Sequence, residues 1–237
     1  LWGRFERTFA TRSNAAPETE FSVEFRSPSG KLRDVLGFWD GGTTWRVRFM
    51  PDEPGKWIFQ SHSRPVVAGL DGQSGEFTCQ REDSRNPFLR HGAVRVSSNG
   101  CYFAHEDGTP FFWLGDTVWY GAGLSRKDDW EVYLNDRAAK KFTVVHFNVV
   151  APRNGMPADE NGEISFTGTD PIRINPKFYQ RLDERVEAVT AHGLLAAIVL
   201  TWGLRPVDSG NYLPEKEVVR LIRYLEARYG ANHVVWV

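Results

Sequence analysis

The stretch "LLAAIVLTW", residues 194–202, decides the fold of the C-terminal part of this chain. It is an apolar run of strand length, and it gives way to a loop at Thr201 and Trp202, which predicts a strand buried on both faces. Helical patterns flank it on both sides, in residues 175–193 and 213–230. Because helices that separate successive strands are typical of parallel sheets, the stretch predicts an α/β architecture.

The same alternation extends outward in both directions. Strand-like runs occur at residues 111–114, 142–150 and 233–237, and residues 125–141 have a helical pattern with Ser125 as the predicted N-cap. A doubly wound nucleotide-binding fold would require a glycine-rich turn after its first strand. The stretch "GDTVWYGAG" has no such motif, and its aromatic residues would obstruct a pyrophosphate. We therefore predict the first half of a (β/α)₈ TIM barrel.

The N-terminal part has a different pattern. Between residues 21 and 80, short alternating strands are separated by turn signals such as "PSGK" and "PDEPG", with no helical period of useful length. This spacing predicts an immunoglobulin-like β-sandwich that acts as an accessory domain. The polar segment 81–92 reads as a linker. The predicted domains are residues 1–80 and 93–237.

The active-site residues of such barrels lie at the C-terminal ends of the strands, and this rule selects the candidate site. Polar and aromatic side chains that suit a polyhydroxylated ligand stand at the predicted strand ends: Asp116, Trp119, Tyr120, His146, Asn148, Thr201 and Trp202. Carboxylate, imidazole, amide and hydroxyl groups would bind sugar hydroxyls, while indole rings would stack on the sugar ring. We predict a carbohydrate site there.

Structural roles remain open for several of these candidates. Asp116 could be an N-cap or a turn former. His146 alternates with apolar residues and could be a buried histidine whose hydrogen bonds are satisfied within the fold. Asn148 could bind only backbone groups at the end of its strand. Trp202 could belong to the core, although its place at a strand end favours the pocket.

Composition excludes several classes of function. The net charge of −1 provides no long-range field for nucleic acid, and no apolar run approaches the length of a membrane span. Cys79 and Cys101 form neither a disulfide framework nor a metal-ligand spacing. One histidine at the strand ends is too few for a metal-dependent barrel hydrolase, so we expect no metal and no organic cofactor.

Aromatic residues, at 14% with nine Trp, are the compositional outlier.

Several motifs in combination resemble a known family. "GFWDGG", "WRVRFMPDEPGKWIF" and "SGEFTC" resemble the small β-sandwich domain that precedes certain glycoside hydrolases. "HEDGTPFFWLGDTVW", "YLNDRAAKKF", "INPKFYQRLDERVEAV", "HGLLAAIVLTWG" and "RYGANHVVWV" resemble the apiosidase-like glycoside hydrolase domain, a (β/α)₈ barrel. The chain departs from that family at "KKF", where a glycine often precedes the second strand, and at His146, where an amide is more usual.

The resemblance implies glycosidic cleavage by two carboxylates, about 5–5.5 Å apart in retaining enzymes. In the family, the acid follows the fourth strand, which "HVVWV" resembles, and its partner follows a later strand. The catalytic pair therefore maps onto no residue here, and we expect a fragment of a longer protein. Asp116 maps to a substrate-contacting position at the pocket floor, and residues 151–174 map to a variable loop that faces the substrate.

The sequence thus predicts a glycosidase that cleaves a terminal or side-chain sugar from a polysaccharide. The alternative is a non-catalytic carbohydrate-binding or cell-surface interaction protein that has kept the scaffold. Residues beyond Val237 would distinguish the two. We expect a secreted or periplasmic location, with a carbohydrate as the only predicted partner and the oligomeric state undetermined.

Overall fold

The computed structural model describes residues 1–12, 15–150 and 158–237. Two compact units emerge from it. The first comprises Leu1–Arg85 with Arg223–Ala231, and the second comprises Asn86–Ile222 with Asn232–Val237.

The first unit contains one curled antiparallel sheet of six strands. The strands are β1 (Phe5–Ala10), β2 (Glu20–Arg26), β3 (Leu32–Trp39), β4 (Thr44–Phe49), β5 (Gly55–Arg64) and β6 (Ser74–Cys79). Their order is β1-β4-β3-β2-β5-β6. Phe5 on one edge strand stacks on Phe77 of the other edge strand, with ring centroids 4.0 Å apart. The sheet therefore curls around an aromatic core. The immunoglobulin-like assignment of this sheet stays a prediction.

Alternating residues of these strands fill that core. Trp45 and Val47 of β4 are buried, as the period-two pattern predicts, and Trp57 of β5 has no exposed surface. Arg48 departs from the alternation, because it is buried although its neighbour in sequence, Val47, is buried on the other face. Its guanidinium binds the Glu6 carboxylate at 2.7 Å, and this ion pair compensates the burial of the charge.

The second unit combines helices with parallel and antiparallel strands. Its elements are α1 (Pro87–His91), β7 (Val94–Val96), β8 (Phe103–His105), β9 (Pro110–Phe111), β10 (Gly115–Thr117), α2 (Gly121–Leu124), α3 (Lys127–Ala139), β11 (Val144–Asn148), β12 (Phe166–Thr167), β13 (Arg173–Ile174), α4 (Pro176–Ala191), β14 (Leu195–Val199), α5 (Ser209–Tyr212), α6 (Glu215–Tyr229) and β15 (Val234–Trp236). Residues of α6 from Arg223 onward belong to the first unit. Helix α1 lies within the segment that the sequence predicts as a linker, and its Phe88 is fully buried.

Four of these strands form the parallel sheet that the alternation predicts. Their order is β10-β11-β14-β15, and each neighbouring pair is parallel. Helix α4 begins at the N-cap Asn175, whose side chain accepts a hydrogen bond from the amide of Lys177. It ends before Gly193, whose φ of +72° is typical of the residue that follows a helix C-terminus.

The pairing register assigns side chains to the two faces of this sheet. We call one face the inner face, and its paired residues are Thr117, His146, Ala197 and Val235. We call the other face the helix face, and its paired residues are Asp116, Val145, Ala196 and Val234. Phe88 packs with Val144, Leu195 and Ala197, which closes the inner face near the start of the strands.

Two local predictions around the first parallel strand are wrong. Residues 111–114 do not form a buried strand: β9 ends at Phe111, Phe112 is 75% exposed, and the parallel strand begins only at Gly115. Ser125 does not cap α3, because its hydroxyl donates to the carbonyl of Gly121 and the helix begins at Lys127. Short helix α2, which the pattern did not indicate, occupies the chain before Ser125.

Candidate functional site

Three aromatic side chains meet at the C-terminal edge of the parallel sheet. The Trp119 ring lies 5.2 Å from the His146 ring and 5.3 Å from the Trp202 ring, measured between centroids. Trp119 follows β10, His146 lies in β11 and Trp202 follows β14. We call these three residues the aromatic cluster. The structure therefore brings together side chains that the sequence predicted from three separate strand ends.

Backbone hydrogen bonds place Trp119 within the cluster. The amide of Val118 donates to the carbonyl of His146 at 2.9 Å, and the amide of Asn148 donates to the carbonyl of Trp119 at 2.7 Å. The chain after β10 thus continues alongside β11 for two more residues. This course places the indole beside His146 while 41% of Trp119 stays exposed.

A tightly bonded loop holds Trp202. The amide of Gly210 donates to the Trp202 carbonyl at 2.8 Å, and the hydroxyls of Thr201 and Ser209 are 2.9 Å apart. The buried Asp208 carboxylate accepts from the amides of Leu204 and Arg205. A Cβ at Gly210 would lie 2.8 Å from the Trp202 carbonyl oxygen, so this approach requires glycine.

His146 presents a neutral imidazole to the cluster. Its Nδ1 lies 3.5 Å from the hydroxyl of Thr117, its neighbour on the inner face. Its Nε2 is buried and has no hydrogen-bond partner within residues 1–12, 15–150 and 158–237. Burial lowers the pKa of His146 below its ordinary value, so the ring is uncharged at neutral pH.

The remaining predicted residues lie around the cluster in different roles. Asn148 is half-buried and pairs in register with Val199 on the inner face. Tyr120 occupies the N-cap position of α2 and is half-buried. Thr201 uses its hydroxyl on Ser209, within its own loop. Thr117, which the sequence interpretation missed, was detectable only from strand alternation once the start of β10 was known.

Asp116 does not join the aromatic cluster. The sequence interpretation gave Asp116 a substrate-contacting role at a strand end, and that role stays a prediction. In the structure Asp116 is the central residue of β10 and lies on the helix face. Its carboxylate accepts hydrogen bonds from the Tyr133 hydroxyl and the Arg137 guanidinium, both at 3.0 Å. Burial and the bond to Asp116 raise the pKa of Tyr133. Asp116 thus ties β10 to α3.

Asp116→Asn is therefore expected to lower the free energy of unfolding by about 1.5 kcal/mol, since two hydrogen bonds lose their charged acceptor. The pKa of Tyr133 should fall toward its ordinary value. Chemical denaturation and a difference titration of tyrosine absorbance would measure the two effects. Asp136→Asn is the matched control, because Asp136 contacts Arg137 from the exposed surface of α3. Unchanged stability, or a loss of carbohydrate affinity larger than the loss of stability, would contradict this assignment.

The segments that follow β11 and β14 carry several carboxylates, and each has a partner in the described structure, whereas the loop after β10 has no Asp or Glu. Asp159 binds Arg181 at 2.6 Å, Glu160 binds Arg185 at 3.0 Å, and Asp170 binds Lys216 at 2.6 Å. Glu163 accepts from the Asn175 side chain, and Asp208 accepts from backbone amides. Residues 151–157, which lie outside the described residues, contain no Asp or Glu. These carboxylates therefore stabilise the loops through ion pairs and hydrogen bonds.

The described residues show neither a membrane-spanning helix nor a cluster of metal ligands. No helix among them is both long enough and apolar enough to cross a bilayer. No group of three His, Cys, Asp or Glu side chains among them is arranged to hold a metal ion.

Comparison with protein families decides what this chain is. The model of the apiosidase-like catalytic domain matches residues 97–237, more than half of the chain. The chain belongs to the apiosidase-like family. A second model, for a domain of unknown function called DUF5060, matches residues 1–64 ahead of the apiosidase-like domain. No curated protein matches the chain.

Two solved structures similar to this apiosidase-like protein are those of glycoside hydrolases. A candidate glycoside hydrolase of Bacteroides vulgatus ATCC 8482 is 25% identical with a TM-score of 0.79, over 100% of this chain and 48% of that one. A family 5 glycoside hydrolase of the same organism is 27% identical with a TM-score of 0.54, over 65% of this chain and 34% of that one. The chain thus spans about half or less of the length of these relatives.

Proposed function

We propose that the whole protein removes a terminal or side-chain sugar from a polysaccharide, as a secreted or periplasmic glycosidase. One observation carries the proposal: Trp119, His146 and Trp202 converge at the C-terminal edge of a parallel sheet in an apiosidase-like chain. Ligands of parallel α/β folds bind at this edge. The membership of the family and the similarity to glycoside hydrolases support the reaction class.

The proposed architecture completes the observed sheet. Strands β10, β11, β14 and β15 are taken as the first four strands of a (β/α)₈ barrel, with the curled sheet of β1–β6 as an immunoglobulin-like accessory domain. Four parallel strands alternating with helices, and a relative of about twice the length, support this arrangement.

Binding would rely on stacking and on neutral hydrogen-bonding groups. The two indole rings, at 73° to each other, offer apolar surface to the apolar face of a sugar ring. The uncharged His146 imidazole and the Thr117 hydroxyl offer both donors and acceptors to sugar hydroxyls. Asn148 adds an amide on the same face.

Cleavage would follow the two-carboxylate route. One carboxylic acid protonates the leaving glycosidic oxygen, and a second carboxylate acts as nucleophile or as the base that activates water. The loop carboxylates of this chain are bound to arginine, lysine, asparagine or backbone amides and are not free for either role. We therefore place the catalytic pair on strands that follow β15 in the whole protein.

The test is hydrolysis by the whole protein. Incubation with plant and microbial polysaccharides and with aryl glycosides should release a monosaccharide, which chromatography would identify. Binding of a polysaccharide without any release would favour the non-catalytic carbohydrate-binding alternative, for which the committed loop carboxylates are the favouring observation. Absence of both binding and release across the panel would reject the proposal.

Acid should destabilise the protein through His146. Because its pKa is lowered on folding, the unfolded chain binds the proton more tightly, and stability rises with pH between the folded pKa and about 6.5. This contribution is complete above about pH 6.5 and is lost as the pH falls through that window. We expect His146→Gln to reduce the difference in unfolding free energy between pH 7.5 and pH 5, measured by urea denaturation. An identical pH dependence in the variant would refute the assignment.

A further inference from the structure

Two arginines on one face of α4 connect the loop that follows β10 with the loop that follows β11. Arg181 and Arg185 are four residues apart, so their side chains leave the same face of the helix. Arg185 is 2% exposed, and the Arg181 side chain is 16% exposed. Their surroundings are the loop after β10 and the described part of the loop after β11, which we call the first and second rim loops (residues 118–126 and 158–165).

Each arginine contacts both rim loops. Arg181 donates to the carbonyl of Gly123 at 3.2 Å in the first loop and binds the Asp159 carboxylate at 2.6 Å in the second. Arg185 donates to the carbonyl of Ser125 at 3.2 Å and binds the Glu160 carboxylate at 3.0 Å. In each arginine the same nitrogen, Nη2, contacts both partners, and the planar guanidinium holds its donors in a fixed geometry that a lysine ammonium on a flexible stem lacks.

The second rim loop and helix α4, which the arginines connect, are each held by further hydrogen bonds. The second carboxylate oxygen of Asp159 accepts from the amides of Asn161 and Glu163, which makes the second rim loop a compact turn. The carbonyl of Arg185 accepts from the Trp130 indole at 3.1 Å, which fixes α4 against α3. The arginines therefore join two ordered loops to a fixed helix.

This bridge affects Trp119, which is the second residue of the first rim loop. Its carbonyl is held by Asn148, and four to six residues later Arg181 and Arg185 hold the carbonyls of Gly123 and Ser125. Anchoring on both sides limits the positions that the indole can adopt. A pre-positioned ring loses less conformational freedom when a ligand binds, so affinity rises.

We propose that Arg181 and Arg185 are positioning residues, which hold the two rim loops so that Trp119 is oriented for the sugar. The inference rests on the proposed function for its ligand. Neither arginine is a catalytic residue in it: both act through the backbone of the loops, and their charges are balanced by Asp159 and Glu160.

The test compares variants of the whole protein in two assays. Amide hydrogen exchange, followed by mass spectrometry on peptides covering residues 118–126 and 158–165, reports whether the arginines hold the loops. Steady-state kinetics on the released sugar reports whether that hold matters for binding. For Arg181→Gln and Arg185→Gln, we expect faster exchange in both loops and a KM raised about tenfold with kcat nearly unchanged. The lysine variants should recover part of the loss.

Two further variants keep the test decisive. Glu184→Gln is the matched control, because it removes an exposed ion pair with Lys127 from the same helix without touching either loop, and it should change neither readout. If an arginine variant fails to fold, Glu160→Gln weakens the same bridge from the loop side and should accelerate exchange in the second loop.

The outcomes separate the inference from the function on which it rests. Unchanged exchange in folded variants would overturn the bridge whatever the enzyme does. Faster exchange with an unchanged KM would overturn the positioning role and leave the proposed function intact. A wild-type protein without carbohydrate activity would reject the proposed function, while the exchange data would still decide whether the arginines hold the loops.

Discussion

Trp202→Ala is expected to weaken carbohydrate binding by the whole protein about 30-fold, which corresponds to about 2 kcal/mol. The indole of Trp202 lies 5.3 Å from that of Trp119, so its loss removes one wall of the aromatic cluster and lets the other ring move. Truncation of a tryptophan at the centre of a binding site is among the most costly changes in such surfaces. Isothermal titration calorimetry with an oligosaccharide of the true substrate would measure the effect.

Two controls distinguish a site effect from general damage. Trp202→Phe retains an aromatic face and should lose much less affinity. Trp113→Ala removes a tryptophan that is 38% exposed and whose ring contacts Phe103 rather than the cluster. Equal losses in Trp113→Ala and Trp202→Ala would count against a carbohydrate site at the aromatic cluster.

Trp130→Ala is expected to lower the free energy of unfolding of the second unit by about 3–5 kcal/mol. Trp130 is 1% exposed and lies between Tyr133 and Phe147, at ring distances of 5.3 and 5.9 Å. The substitution would open a large cavity and leave the carbonyl of Arg185 without its indole donor. Because domains are stable by only about 5–15 kcal/mol, this change would remove a large part of the total.

Thermal and urea denaturation would test this prediction. Trp130→Phe fills much of the space and should lose less, with about 1 kcal/mol of its loss due to the missing hydrogen bond. Val132→Ala on the same helix is the control, since Val132 is 69% exposed and should have almost no effect. A Trp130→Ala protein as stable as Val132→Ala would show that the Trp130 contacts do not hold this unit together.

Much of the second unit was predictable from local patterns. The apolar run at residues 194–202 and the helices around it predicted parallel strands, and β11, β14 and β15 are parallel. The helical pattern of residues 125–141 likewise predicted a helix, and α3 spans Lys127–Ala139. These features could be predicted from the sequence because each depends on the periodicity of apolar residues within one segment of the chain.

The boundary of β10 was not predictable in the same way. Residues 111–114 are as apolar as a core strand, yet Phe112 is exposed and the strand begins at Gly115. Where a strand starts depends on its hydrogen bonds to a neighbouring strand. The partners of β10 are residues 144–146 of β11, which lie about thirty residues further along the chain. A shift of register by one residue exchanges the two faces, so the start of β10 decides that Asp116 lies on the helix face.

By itself the sequence determined the alternation of helices and parallel strands from α3 to β15, the resemblance to the apiosidase-like family, and the aromatic residues that end up at one edge of the sheet. Only the tertiary structure decided which of those residues meet: it turned Asp116 toward Tyr133 and Arg137, brought Thr117 beside His146, and used Arg181 and Arg185 to join two loops. The physical reason is that periodicity records burial along one segment, whereas strand register and ion pairing are settled between segments that are distant in sequence.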